Sequence, residues 1–160
     1  KKVALVGLDI RKPMLATYFN LSSKGHLTDY LAEPDITIDD IIVPSGEHKN
    51  LDIIPCGAIP PNPSELIQTD RVEQLFAELR ERYDYIIVDT APVALVSDTY
   101  LLDRIADMTL FVCRYKYTPT EMIDYINQVI EQKRMHNVAC VLNGVKEARA
   151  GYGYGVAPKS

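Results

Sequence analysis

The sequence predicts an α/β fold built on a mainly parallel, doubly wound sheet. Three observations lead there. Short apolar runs recur along the chain, and several of them stop at a carboxylate or an amide. Between them stand segments with helical spacing and helix-start signals. The chain has 160 residues, 47% hydrophobic and 24% charged, which suffices for one domain with a real core.

The first run, Val3 to Asp9 (VALVGLD), reads as an apolar strand ending in an acid, with Arg11, Lys12 and Pro13 directly after it. It begins almost at residue 1, so the expectation is a chain that starts in mid-fold. Met14 to Glu33 holds two short, weakly helical pieces, MLATYFN and LTDYLAE, separated by SSKG, whose Gly25 stops the first. Asp35 to Asp40 reads as a polar connection, with Ile36, Ile38, Ile41 and Ile42 interleaved through and after it. Leu51 to Pro55 (LDIIP) is a third short strand.

Gly57 to Glu65 (GAIPPNPSE) is rigid and irregular, because Pro60, Pro61 and Pro63 fix φ and remove donors. It closes as a helix start: Asn62 is a suitable N-cap, Pro63 suits the first helical position, and Glu65 stands where a capping-box acid reaches back. The helix runs to about Arg82, with Leu66, Ile67, Val72, Leu75, Phe76 and Leu79 on one face.

Tyr83 to Val93 (YDYIIVDTAPV) is the stretch on which a function turns. Four strand-forming residues, Tyr85 to Val88, end at Asp89, and Thr90, Ala91 and Pro92 break the run. This describes a buried parallel strand with a carboxylate at its C-terminal end, where ligands of open α/β sheets sit. Asp89 is therefore placed for a phosphate-bound magnesium ion; the alternative is a turn-forming Asp at the end of a core strand.

Ser97 and Asp98 then start a helix through Ile105, and Met108 to Cys113 (MTLFVC) is the next strand. Thr118, Pro119 and Glu121 form a T-x-x-E box before a helix marked by Met122, Ile123, Ile126, Val129 and Ile130. Val138 to Leu142 (VACVL) is the last strand, ending at Asn143 and Gly144. Residues 1–147 thus read as one domain. Residues 148–160, ARAGYGYGVAPKS from Ala148 on, read as a flexible Tyr/Gly tail.

Composition narrows the classes. A formal net charge of −5, without a basic stripe, argues against a nucleic-acid or membrane-surface binder. No apolar run approaches membrane-spanning length and no signal peptide is visible, so the piece reads as soluble. Cys56, Cys113 and Cys140 are scattered and read as reduced thiols. His26, His48 and His136 show no ligand spacing and receive no chemical role.

These residues resemble the cytoplasmic kinase domain of the bacterial protein-tyrosine kinases of capsule and exopolysaccharide synthesis, relatives of the deviant-Walker P-loop ATPases of the MinD and ParA groups. VALVGLDIRKP is similar to the family's second Walker segment, a strand followed by D-x-D-x-R, and IIVDTAPV is similar to its Walker B segment. IPCGAIPPNPSELI, similar to the family run G-x-x-P-P-N-P-S-E-L, is the most specific match. VLNGV resembles the sheet end where relatives place an asparagine near adenine. GYGYG resembles, in shortened form, the tyrosine cluster that members phosphorylate on one another.

The resemblance implies an ATP-dependent tyrosine autokinase with ATP and Mg²⁺ as cofactors. Asp89 would hold the metal through water and Asp9 would be the second acid. Arg11 would face phosphate or a neighbouring subunit, and Asn143 the adenine. Tyr152 and Tyr154 would be the phosphoacceptors. It further implies a homo-oligomeric ring that tail phosphorylation dissolves, a membrane-anchored activator or fused membrane segment, polysaccharide export machinery as partner, and a cytoplasmic position at the inner membrane.

Two departures stand out. Gly7 occupies the place of the family's proposed proton-accepting acid, so that Asp9 takes the proton, or a loose transition state needs no strong base, or activity is weak. No G-x-x-x-x-G-K-[ST] loop occurs in these residues, and the expectation is a fragment lacking the N-terminal strand and phosphate loop. Two rivals remain, a deviant-Walker positioning switch and a non-catalytic ring-forming or docking module.

Overall fold

Val3–Leu8 forms β1, and its apolar run becomes the middle of a sheet because it has a parallel partner on either side. The computed structural model describes residues 1–22, 25–92 and 97–145, with the side chains of Ser97 and Asp98 left aside. After β1 come α1 (Leu15–Tyr18), α2 (Leu27–Ala32), α3 (Ile38–Ile41), β2 (Val43–Pro44), β3 (Leu51–Ile54), α4 (Pro63–Ile67), α5 (Asp70–Arg82) and β4 (Tyr85–Thr90). A 3-10 helix over Ser97–Ile105, β5 (Thr109–Arg114), α6 (Glu121–Glu131) and β6 (Val138–Asn143) complete the order.

The chain divides into two compact units, Lys1–Asp107 and Met108–Ser160. The first holds a sheet of order β2-β3-β1-β4, and the second a parallel β5-β6 pair. Expectation and structure differ here: the strands form two sheets, not one. The class itself stands, since β1-β3, β1-β4 and β5-β6 are parallel and only the short β2-β3 pairing is antiparallel.

The core of the first unit gathers Ala4, Val6 and Leu8 of β1, Leu27, Tyr30 and Leu31 of α2, and Val72, Leu75, Phe76 and Leu79 of α5. The α5 residues recur at helical spacing, and each fully buried one contributes roughly 1.5–3 kcal/mol. Arg71 braces this packing: its guanidinium lies 4.1 Å over the Tyr30 ring and donates to the carbonyls of Tyr30 (2.7 Å) and Ile36 (2.9 Å).

Several local expectations change. The helix from Pro63 to Arg82 is two helices, broken at Gln68 and Thr69. Thr69 Oγ1 donates to the Leu66 carbonyl (2.8 Å) and Thr69 itself turns extended, which ends α4 and restarts the chain as α5. Asn62 Nδ2 donates to Glu65 Oε2 (2.7 Å), so these two side chains pair with each other rather than cap the backbone. Thr118 Oγ1 accepts the Arg114 amide (2.8 Å) in the turn after β5, and α6 begins later, after Thr120. The connection after Asp35 contains α3, because the Asp40 carboxylate accepts both the amide (2.8 Å) and the hydroxyl (2.6 Å) of Thr37.

The strand ending at Asp89 is also less buried than expected. In β4, Ile86 and Val88 pack against the core while Tyr85 (59%) and Ile87 (56%) are exposed. β4 ends the described sheet of the first unit, and one of its faces is covered by the described residues.

Candidate active site

The parallel register of β1 and β4 pairs Gly7 with Asp89 and Leu8 with Thr90. Asp9 follows the last paired residue of β1, so both acids emerge at the C-terminal edge of neighbouring strands. Asp9 Oδ1 accepts the amides of Arg11 (3.2 Å) and Lys12 (3.0 Å), a side-chain-to-backbone turn that fixes the carboxylate as the chain leaves the sheet.

Asp9 and Asp89 line one cavity of about 150 Å³ with Gly7, Cys56, Gly57, His26 and the stretch 13–16. The loop after β3 forms one wall and the start of α2 another. They are stitched together by the Leu27 amide on the Pro55 carbonyl and the Thr28 amide on the Cys56 carbonyl, both 2.9 Å. Gly57 makes this closeness possible. Its φ is +97°, and a Cβ there would fall 2.5 Å from both His26 Cβ and Thr28 Oγ1.

Electrostatics tie the acids together. Asp89 keeps contact with solvent, yet partial loss of water, and secondarily the charge of Asp9, raise its carboxyl above the ordinary range. Burial, with Asp9 adding to it, pushes the Cys56 thiol up to about 12, so Cys56 is a neutral wall group and not a nucleophile. Two carboxylates whose joint ionisation is penalised fit a hard divalent cation that keeps several waters and binds phosphate oxygens. The donor set suits Mg²⁺.

Arg11 lines a separate hollow with Leu8, Ile10, Pro63, Ile67 and Thr99. The start of α4, in the P-P-N-P-S-E-L run, thus neighbours Arg11, and Arg104 holds that helix by donating to the Ile67 carbonyl (2.7 Å). Asn143 ends β6 in the second unit, exposed, its carbonyl accepting the Tyr115 amide (2.9 Å). Tyr152, Tyr154 and the tail 148–160 lie outside the described residues. Among the described residues no helix is long and apolar enough to cross a membrane.

Sequence reasoning passed over two wall residues. Gly57 was legible only as the head of a proline-rich run, its close approach being a tertiary fact. His26 was dismissed for lack of ligand spacing. The missed signal was Gly-His-x-x-Asp at a helix start, because His26 Nδ1 lies 3.0 Å from Asp29 Oδ2, which also accepts the His26 amide (3.0 Å).

No protein-family model matches the chain. The tyrosine-protein kinase etk of Escherichia coli K12 is 34% identical over 155 residues, 96% of this chain and 21% of that protein. The tyrosine-protein kinase YwqD of Bacillus subtilis 168 is 32% identical over 155 residues, 96% of this chain and 65% of that protein. The chain therefore spans about a fifth of the first relative and just under two thirds of the second. Among solved structures, the kinase domain of Escherichia coli Etk superposes with a TM-score of 0.83 at 34% identity, covering 96% of this chain and 60% of that one. Solved MinD and ParA proteins, 17% and 20% identical, share the P-loop NTPase fold and speak to the fold alone.

Proposed function

The chain belongs to the family of bacterial protein-tyrosine kinases, and from that premise we propose that it is the acid-bearing part of an ATP-dependent tyrosine autokinase that regulates capsular or exopolysaccharide synthesis and export. The observation that carries the proposal is the lining of one cavity by Asp9 and Asp89, at the ends of two strands in parallel register, in a chain 34% identical to a tyrosine kinase.

Phosphoryl transfer asks for positioning and charge neutralisation more than for covalent chemistry. Mg²⁺, when bound with ATP, offsets charge on the phosphates. Asp9, fixed by its turn, and Asp89, raised by its surroundings, supply the oxygen donors for it. Gly57 and the start of α2 close the other side of the cavity. Arg11 serves phosphate or a neighbouring subunit, and Asn143 the adenine. The backbone cradle and lysine of a phosphate loop are not among these residues, and the reading takes them from sequence outside them.

The acceptors in this reading are Tyr152 and Tyr154, modified in trans within a homo-oligomeric ring. The dozen or so residues after Asn143 span on the order of 40 Å when extended, enough to reach a neighbour. Each phosphate adds roughly −1.5 to −2 charges, and repulsion from Asp9 and Asp89 then expels the tail and loosens the ring. A membrane-anchored activator, or a fused membrane segment, holds the domain on the cytoplasmic side of the inner membrane.

The test mixes a full-length Asp89→Asn chain with an active chain lacking residues 150–160 and maps phosphate by mass spectrometry. Label on Tyr152 or Tyr154 of the Asp89→Asn chain is expected. Label confined to Tyr115, Tyr117 or Tyr125, or none, removes the tail from the mechanism.

A further inference from the structure

The kinase reading leaves one proton without a destination. Gly7 carries no acid, and the site has little room for one: a Cβ at Gly7 would lie 3.2 Å from Leu15 Cδ1 and 3.3 Å from the Cys56 amide nitrogen. Cys56, buried and neutral, takes no proton. Asp9 is engaged in its backbone turn and, with Asp89, serves the metal.

Among the described residues, one further titratable side chain lines the cavity, His26. Its ring is held by Asp29, with Nδ1 3.0 Å from Oδ2. In the tautomer that donates its Nδ1 hydrogen to the Asp29 carboxylate, the neutral ring presents Nε2 as its acceptor. A carboxylate that fixes the tautomer and supports the imidazolium is the arrangement by which other enzymes make histidine a base. The side chain is about one-third exposed, accessible to a substrate entering from solvent.

We propose that His26 is the general base that accepts the phenolic proton of the acceptor tyrosine, with Asp29 as its positioning residue. The inference rests on the kinase reading and names the residue that replaces the acid absent at Gly7. Nε2 takes the phenol proton as the tyrosine oxygen bonds to the γ-phosphorus. The bond from that phosphorus to the bridging oxygen breaks, and ADP leaves with the electron pair. The imidazolium then returns its proton to water. Among the described residues, the charged or titratable groups that share its surroundings are Asp29 on its own helix and Asp9, Asp89 and Cys56 around the cavity.

The test uses the full-length protein, saturating Mg-ATP and a tyrosine peptide. His26→Asn keeps an amide nitrogen near the Nδ1 position for Asp29 and removes Nε2. Expected is a fall in kcat on the order of 10²-fold, with ADP affinity unchanged within about threefold. The acidic limb of the kcat profile should vanish. A difluorotyrosine peptide, whose phenol is more acidic, should recover most of the loss in His26→Asn and gain little in the wild type. Should His26→Asn fail to fold, Asp29→Asn, which leaves the imidazole in place, should give a smaller fall with the same fluorotyrosine recovery.

A kcat within about threefold of wild type, or equal losses with both peptides, overturns the role of His26. Asp89→Asn separates the two failures. If it is inactive while His26→Asn is not, the kinase reading stands without this base; if it too is fully active, the kinase site itself is misplaced.

Discussion

Residues 1–107 and 108–145 are built on the same motif, a pair of strands matched over six parallel positions, β1 with β4 and β5 with β6. Their environments diverge. Val6 of β1 is 0% exposed, whereas Leu110 and Val112 of β5 are 56% and 68% exposed. In the first unit β1 has strands on both sides and α2, α5 and the 3-10 helix contribute to its core. In the second, α6 buries Ile126 and Val129, but the outward faces of β5 and β6 are covered by none of the described residues. A continuous apolar run therefore signals a strand able to be buried on both faces. It does not say what buries it.

The sharpest way to break the comparison is a pair of glycines at positive φ, one in each unit. Gly57→Ala forces a Cβ into His26 and Thr28 and adds backbone strain, so about 4 kcal/mol should be lost, read by chemical denaturation. Gly144→Ala, with only Arg114 Cγ at 3.9 Å, should lose about 1 kcal/mol. Equal losses would mean that the wall between the β3 loop and α2 is not tight.

Core truncations extend the contrast with a smaller effect. Leu79→Ala, at a fully buried position of α5, should cost about 3 kcal/mol, while Val112→Ala in β5 should stay within about 0.5 kcal/mol. A large loss at Val112 would show that its face is covered in the intact protein.

The smallest effect concerns the Asp89 carboxyl and carries a sign. Its native proton affinity is raised, so the fold loses stability as pH rises through that carboxyl's range. Without metal, Asp89→Asn should therefore melt slightly higher than wild type at pH 7. The difference should fade as pH drops below the ordinary carboxylate range. A lower melting temperature for Asp89→Asn at pH 7 would mean that Asp89 stabilises the fold by contacts and is not held ready for a cation.

Much of this was legible in the sequence because it is local. VALVGL and YIIVDT announced their strands, and Asp9 just after the first and Asp89 near the end of the second marked the edge where the candidate site lies. The break at Thr69 was not legible, because a threonine hydroxyl returning to Leu66 competes with a helical pattern that otherwise runs through it. The two-residue β2 is too short for periodicity and contains Pro44, which argues against a strand until β3 is seen to pair with it. Asp9 and Asp89 could be proposed singly from sequence. That they share a cavity with His26 depends on the β1-β4 register and on how close Gly57 lets α2 approach.

The central claim is that Asp9 and Asp89 act together as the metal-holding pair of a tyrosine kinase. The most direct measurement is phosphotyrosine formation by full-length protein with ATP and Mg²⁺, comparing wild type with Asp9→Asn and Asp89→Asn, each verified as folded. Asp89→Asn should abolish the signal and Asp9→Asn reduce it severely, with wild-type activity lost on chelation of the metal. Undiminished phosphotyrosine in the Asp89→Asn protein would contradict the account.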